Sequence, residues 1–221
     1  MKSPREGART AKPVPEKPRL NRRERSKLDK LERIRKAAAA LFKKNGFEAT
    51  TTQAVADAAD IGSGTLFFYA KTKEDLLGIV MASDLLEIVN EVGNKPSNEA
   101  GLAEQVMHLF APLLKYHARD KDLSRLYVRE VNLPRRIGGA PRPGHPSPAL
   151  AILGVLTKQV SAGQEKNLIR RDMKAEDIAL ALFSLYIMAL SHFLMGRMTL
   201  EVASTYLRGA LRGHVEGVQA R

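Results

Sequence analysis

Residues 49–74 read ATTTQAVADAADIGSGTLFFYAKTKE, a pattern that predicts two short helices joined by a tight turn. Thr51 is suited to cap the first of these helices, because its hydroxyl accepts hydrogen bonds from the free amides at a helix start. Asp60-Ile61-Gly62 then interrupts the helical pattern, and a second helix is predicted from Ser63 to Tyr69. Asp60 suits the turn, because aspartate enters the left-handed conformation more readily than most residues. So short a connection between two helices is typical of a helix-turn-helix.

Helices are also predicted on both sides of this stretch. Upstream, apolar residues recur at three- and four-residue steps from Leu28 to Phe42, as an amphipathic helix requires. This helix is expected to start at Leu28 and to end at Gly46, since glycine suits the position after a helix. Downstream, a helix is expected from Lys73 to about Val92. Residues 27–76 are therefore predicted to form a compact helix-turn-helix domain.

The rest of the chain shows helical periodicity and no strand signals. Helices are predicted over about 98–119, 122–133, 147–165, 175–196 and 199–216. Residues 134–148 are rich in proline and glycine and are predicted to be a loop. The fold is thus expected to be all-α, with a larger C-terminal helical bundle domain over residues 77–221.

The basic charge is concentrated in the N-terminal tail. The chain carries a net charge of +12, and residues 1–30 hold eleven Lys and Arg against four acidic residues. Residues 1–26 have almost no large apolar side chains and are predicted to be disordered. Such a tail either approaches phosphate without recognising sequence or serves as a solvated leader, and both interpretations stay open.

Cysteine is absent, which excludes disulfides and thiolate metal sites and fits a cytoplasmic location. No apolar signal segment follows the basic N-terminus.

Residues 28–77 resemble the DNA-binding domain of the TetR family. The resemblance is carried by the paired threonines before the second helix, by Gly64-Thr65-Leu66-Phe67 in the third, and by Lys73-Glu74 at the start of the fourth. Ala40-Leu41-Phe42 and Asn45-Gly46-Phe47 match the family's first helix and its end. The chain departs from the family pattern at Asp60, Gly62, Phe67 and Ala70, where Gly, Ser, Tyr and Phe are common.

The resemblance implies a sequence-specific DNA-binding regulator, a repressor released by an unidentified small-molecule effector. A pair of small helix-turn-helix units is needed to bind a palindromic operator, so a homodimer is expected. Residues 178–196 carry no formal charge and are long enough to cross a bilayer. We favour burial on both sides of this helix over a membrane span, with helices at about 175–196 and 199–216 forming the dimer interface.

The residues predicted to contact double-stranded DNA lie at the two helices of the helix-turn-helix: Thr51, Thr52, Gln53, Gly62, Ser63, Gly64, Thr65, Phe67, Phe68, Tyr69 and Lys73. Hydroxyls reach base edges, and a threonine methyl contacts a thymine methyl. A helix N-terminus that carries hydroxyl groups favours the binding of phosphate. Tyr69 and Lys73 are suited to contact the sugar-phosphate backbone. Phe67 and Phe68 fit a core role equally well, and Leu66 is predicted to be core.

The family resemblance also implies a ligand cavity in the C-terminal domain. Its candidate lining residues combine apolar bulk with polar tips: Met107, Phe110, Tyr116, Tyr127, Phe183, Tyr186 and His192. Each of them also fits the role of an ordinary core residue.

The sequence also bears on three alternative functions. An enzyme is disfavoured, since the five histidines are scattered and no nucleophile has a plausible base; no cofactor and no metal site are predicted. An architectural protein binding through its tail would bind all sequences alike. An activator with the same fold is not distinguished from a repressor by the sequence.

Overall fold

The computed structural model describes residues 21–93, 101–129 and 147–219, and these ranges contain nine α helices. They are α1 Arg22–Asn45, α2 Thr52–Ala58, α3 Ser63–Tyr69, α4 Lys73–Gly93, α5 Leu102–Ala118, α6 Lys121–Tyr127, α7 Pro148–Glu165, α8 Ala175–Leu194 and α9 Leu200–Val218. No strand is formed within the described ranges, where a single β-bridge joins Ile169 and Gln219. The predicted all-α fold is confirmed.

Helix α1 begins at Arg22, earlier than the predicted start at Leu28. The Asn21 side chain accepts a hydrogen bond from the Glu24 amide, and the Glu24 carboxylate accepts one from the Asn21 amide, both at 2.9 Å. This capping box stabilises a helix start that has no buried face, since Leu28 itself is 49% exposed. Apolar periodicity therefore placed the start too late. The predicted disorder is wrong for residues 21–26, and residues 1–20 lie outside the described part of the chain.

The described residues form two hydrophobic cores, and α4 contributes to both. The smaller core joins α1, α2 and α3 to the first half of α4, while the larger core lies among the C-terminal helices. The smaller core includes Leu76, Ile79 and Val80 of α4. The larger core includes Leu77, Met81, Leu85 and Val89 of the same helix. The predicted boundary between residues 76 and 77 therefore falls inside a continuous helix.

Most C-terminal helices lie within a few residues of their predicted positions, and α6 is the main exception. It was predicted over 122–133 but ends at Tyr127, and Val128 and Arg129 continue in a wider helical turn. Ser147 caps α7, with Pro148 in the first turn, where the missing N–H of proline needs no partner. The other residues of the predicted 134–148 loop lie outside the described ranges.

Within the described residues, α8 is the one helix long and apolar enough to span a bilayer. It packs against α7 and α9, and Ile178, Leu182 and Tyr186 on its inner face are buried. On its outer face Leu180 and Met188 are 54% and 50% exposed. Helix α8 therefore has one apolar face in the core and a second apolar face on the surface.

Candidate nucleic-acid interface

Side chains as well as backbone hold the turn between α2 and α3. Thr51 caps α2, its Oγ1 accepting from the Ala54 amide at 3.1 Å. Asp60 has a φ of 49°, the left-handed conformation that the sequence predicted for it. Arg33 of α1 donates to the carbonyls of Ala59 and Asp60 at 2.6 and 2.5 Å and to the Asp60 carboxylate at 2.9 Å. Helix α1 thereby fixes the turn that orients α3.

The N-terminal end of α3 faces solvent. Gly62, Ser63 and Gly64 are exposed and Thr65 is half-buried, while Leu66 is core, as predicted. A Cβ placed on Gly62 or Gly64 would meet no atom within 4 Å, so packing within the chain requires neither glycine. Glycine inside a helix costs about 1 kcal/mol relative to alanine. An exposed glycine inside a helix leaves the backbone open to close approach by another molecule.

A chain of hydrogen bonds links α3 to α2 on the same surface. Ser63 Oγ donates to Gln53 Oε1 at 2.7 Å, and Gln53 Nε2 donates to Asp57 Oδ1 at 2.8 Å. All three side chains are exposed. The bonds orient the polar groups of both helices toward one face, and Thr51 and Thr52 lie at the start of α2 beside them.

Phe67 and Phe68 form an exposed aromatic pair on α3, 57% and 68% exposed. The core alternative for these two residues is therefore wrong. The Lys71 ammonium, also exposed, lies 5.6 Å from the centroid of the Phe67 ring. Lys71 was missed as a candidate contact, although a cation just past the third helix was a usable signal for phosphate binding.

Two residues predicted to bind the DNA backbone are engaged within the protein. Tyr69 is 6% exposed, its hydroxyl donates to the Lys27 carbonyl at 3.5 Å, and burial raises the pKa of its phenol. Lys73 Nζ donates to the Glu48 carboxylate at 2.9 Å and lies 4.5 Å from the centroid of the Phe47 ring. Both side chains stabilise the domain in this arrangement, so we do not propose them as DNA contacts.

Most of the predicted cavity residues belong to an aromatic cluster in the larger core. The Phe110 ring stacks on Tyr186 at 4.6 Å between centroids, and Phe183 stacks on Tyr186 at 6.1 Å. Burial raises the pKa of the Tyr127 and Tyr186 hydroxyls, so both stay neutral. We call Phe110, Tyr116, Tyr127, Phe183 and Tyr186 the aromatic cluster.

The two remaining predicted cavity residues are Met107 and His192, and Met107 is buried in the larger core with the aromatic cluster. Met107 lines a surface groove of about 280 Å³ between α5 and α9, together with Glu104, Lys115 and Arg208. His192 makes no ring contact with the cluster among the described residues.

A histidine and a serine meet between α5 and α6, which bears on the enzyme alternative. His117 Nδ1 lies 3.2 Å from Ser124 Oγ, and the serine hydroxyl donates to the His117 carbonyl at 3.1 Å. The single hydroxyl proton is used in that bond, so Nδ1 donates to the serine and does not act as its base. His117 and Ser124 are 2% and 1% exposed. The pair joins two helices and does not form an activated nucleophile.

Burial of His117 makes stability depend on pH. It lowers the pKa of His117 to about 4, from an ordinary value of 6.5. Between these values the unfolded chain binds the proton and the folded chain does not, so stability falls as the pH falls through this window. We expect the free energy of unfolding to drop by about 3 kcal/mol from this residue across the window.

Urea unfolding at about pH 7 and about pH 4.5 measures this drop. His117→Gln removes the titrating group and should flatten the dependence. An equally steep decline in that variant would assign the effect to other groups.

The helix-turn-helix residues match a known family. Residues 34–78 fit the model described as bacterial regulatory proteins, tetR family. Thermus thermophilus FadR, described as a TetR-family transcriptional repressor in complex with lauroyl-CoA, is 26% identical; the match covers 86% of this chain and 96% of FadR, with a TM-score of 0.66. Residues 34–78 therefore form a DNA-binding domain of the TetR family.

Other solved structures share the fold of this chain at lower identity. Bacillus subtilis FadR in complex with stearoyl-CoA is 17% identical over 85% of this chain and 98% of its own, with a TM-score of 0.58. A regulator from Mesorhizobium loti is 18% identical over 91% of this chain and 100% of its own, with a TM-score of 0.59. Among curated protein sequences, none matches the chain.

The match to the tetR family model indicates the DNA-binding domain of a transcriptional regulator. The matched residues 34–78 include much of α1, all of α2 and α3 and the start of α4. They contain the exposed end of α3 and the turn held by Arg33. The family match and the geometry therefore fall on the same part of the molecule.

Proposed function

We propose that this TetR-family protein is a cytoplasmic repressor whose homodimer binds a palindromic operator and leaves it when a small-molecule effector occupies the C-terminal domain. The observation that carries this is the outward-facing end of α3, where Gly64 has open space around it. Helix-turn-helix proteins place this helix in the major groove of DNA. One such helix contacts few base pairs, so a second copy supplies the other half-site.

The proposed DNA contacts divide by chemistry between the two helices. Hydroxyls, an open backbone and exposed aromatic rings suit base edges and thymine methyl groups in the major groove. The proposed base contacts, all on or beside α3, are Gly62, Ser63, Gly64, Thr65, Phe67 and Phe68. The proposed phosphate contacts, at the start of α2 and after α3, are Thr51, Thr52, Gln53 and Lys71.

The outer surface of α8 and α9 supports the homodimer. The half-exposed Leu180 and Met188 of α8 are joined on α9 by Val202 and Tyr206, 51% and 43% exposed. Helix α9 also carries glycines at four-residue steps, and a Cβ on any of them would meet no atom within 4 Å: Gly209, Gly213 and Gly217. Apolar side chains beside small residues allow two helices to pack closely. A twofold copy would thus form a four-helix interface from α8 and α9.

An effector bound among the residues of the aromatic cluster would need a large apolar part. Similarity to the FadR structures, solved with lauroyl-CoA and stearoyl-CoA, makes an acyl-CoA the effector class to test. The effector must bind the DNA-incompetent arrangement more tightly than the DNA-bound one. The effector must bind the two arrangements with free energies that differ by about 5 kcal/mol to change the protein from mostly DNA-bound to mostly free.

Selection of genomic fragments by purified protein tests the proposal. We compare the full chain with a variant lacking residues 1–20, which keeps Asn21 and its capping box. Both should enrich one palindromic site and release it on addition of lauroyl-CoA, with free CoA as the control. Equal retention of random and genomic DNA would contradict the repressor function and favour non-specific binding. Retention of the site in the presence of lauroyl-CoA would overturn the effector class alone.

Thr65→Ala is expected to change the preferred base at one position in each half-site and to weaken operator binding by about 10-fold, since one base contact is worth about 1–3 kcal/mol. Repeating the selection with the variant and measuring its operator affinity gives both results. Thr157→Ala is the matched control, a half-buried threonine on α7. An unchanged base preference in Thr65→Ala would remove Thr65 from the base contacts.

A further inference from the structure

We infer that Asp84 of α4 couples the C-terminal domain to the DNA-binding helices, with Tyr116 on one side and Arg35 on the other; this rests on the proposed function. Tyr116 Oη donates to Asp84 Oδ2 at 2.9 Å. Arg35 Nη1 of α1 lies 3.8 Å from Asp84 Oδ1. The two oxygens of one carboxylate therefore face two different domains.

The two contacts of Asp84 differ in length, and the one to Arg35 is the longer. Arg35 is bound closely by Glu32, at 2.8 and 2.7 Å, and Glu87 adds a further negative charge near it. The 3.8 Å contact to Asp84 is longer than the usual separation of about 2.8 Å in a charge-assisted hydrogen bond. Tyr116 holds the carboxylate on the opposite side. Without that bond, Asp84 and Arg35 are free to approach each other by about 1 Å.

Helix α1 transmits such a displacement to α3. Arg33 and Arg35 are two positions apart, so they point to different sides of the helix. Arg35 faces α4, while Arg33 holds the carbonyls of Ala59 and Asp60 in the turn before α3. A shift of α1 at Arg35 therefore moves the turn that orients the DNA-contacting end of α3.

Tyr116 links Asp84 to the proposed effector site. Its half-buried ring lies 5.7 Å from that of His117, whose other neighbour is Tyr127 of the aromatic cluster at 6.3 Å. Burial, with the charge of Asp84 adding to it, raises the pKa of Tyr116 and keeps its hydroxyl a donor. An effector that fills the cluster and displaces the Tyr116 ring breaks the bond to Asp84. It then binds best to the arrangement with the altered turn, as release from DNA requires.

Tyr116→Phe tests the inference, because it removes the hydroxyl and keeps the ring. We expect the full-length variant to bind the selected operator about 5-fold more weakly or worse, although Tyr116 lies outside the DNA-binding helices. Thr157→Ala, which also removes a hydroxyl from a half-buried side chain, is the matched control and should bind as the wild type does. Unfolding free energies of both variants separate this effect from a loss of stability.

The decisive measurement is a double-mutant cycle. In an Asp84→Ala background Tyr116→Phe should have no further effect on operator affinity, since the link from Tyr116 through Asp84 to Arg35 is already broken. If Asp84→Ala does not fold, Arg35→Gln serves as the background with the same expectation. Wild-type operator affinity in Tyr116→Phe would overturn the coupling and leave the proposed function intact. The same would follow if Tyr116→Phe reduced operator affinity by an equal factor in the wild-type and Asp84→Ala backgrounds. Failure to select any specific operator would overturn both.

Discussion

Gly64→Leu is expected to abolish specific operator binding while leaving the protein folded. The position is exposed, and a Cβ there would meet no atom of the chain within 4 Å, so leucine creates no clash within the protein. Leucine also favours a helix by up to about 1 kcal/mol over glycine. On DNA the same side chain occupies the space that the backbone of α3 needs to approach the bases. Operator affinity should fall by about 1,000-fold, toward that of non-specific binding.

Operator affinity and urea unfolding on the same preparation measure both parts of this expectation. Gly154→Leu is the matched control, because Gly154 is an exposed helical glycine of α7 with equally open space around it. The control should keep both properties of the wild type. Wild-type operator affinity in Gly64→Leu would show that this end of α3 does not enter the groove.

Leu180→Asp combined with Met188→Asp is expected to give a folded monomer that binds the operator about 100-fold more weakly or worse. Both side chains are half exposed on the outer face of α8, so the folded protomer tolerates charge there. In the proposed dimer each charge would be buried without a partner. A monomer binds one half-site at a time and loses the effective concentration that a second, linked half-site provides.

Light scattering and operator titration report the two effects. Leu150→Asp is the control, since Leu150 is 63% exposed and belongs to α7, which is not one of the two helices of the proposed interface. It should stay dimeric. A double variant that remains dimeric would place the interface elsewhere.

Local signals in the sequence were sufficient for the helix-turn-helix. The cap at Thr51, the left-handed Asp60 and the start of α3 at Ser63 each depend on neighbouring residues, and the structure agrees with all three. The start of α1 was placed late because apolar periodicity marks where burial begins. The Asn21 and Glu24 capping box stabilises an exposed first turn that periodicity does not detect.

Contacts between distant residues explain what the sequence did not predict about the site. Lys73 was assigned to DNA because its partner, Glu48, is far away along the chain and pairs with it only after folding. The burial of Tyr69 under α1 has the same cause. The link from Arg35 through Asp84 to Tyr116 joins three helices, and no spacing along the chain marks it.

Helix α4 limits how this protein can be re-engineered. A chimera that joins these DNA-binding helices to a foreign sensor at residue 76 would discard Ile79 and Val80, which belong to the smaller core. Keeping α4 with the DNA-binding helices instead would expose Leu77 and Met81, which belong to the larger core. A workable graft must carry the whole helix with one partner and redesign the surface against which its other half packs. The two functions are separate in chemistry, yet the chain does not permit them to be exchanged as independent modules.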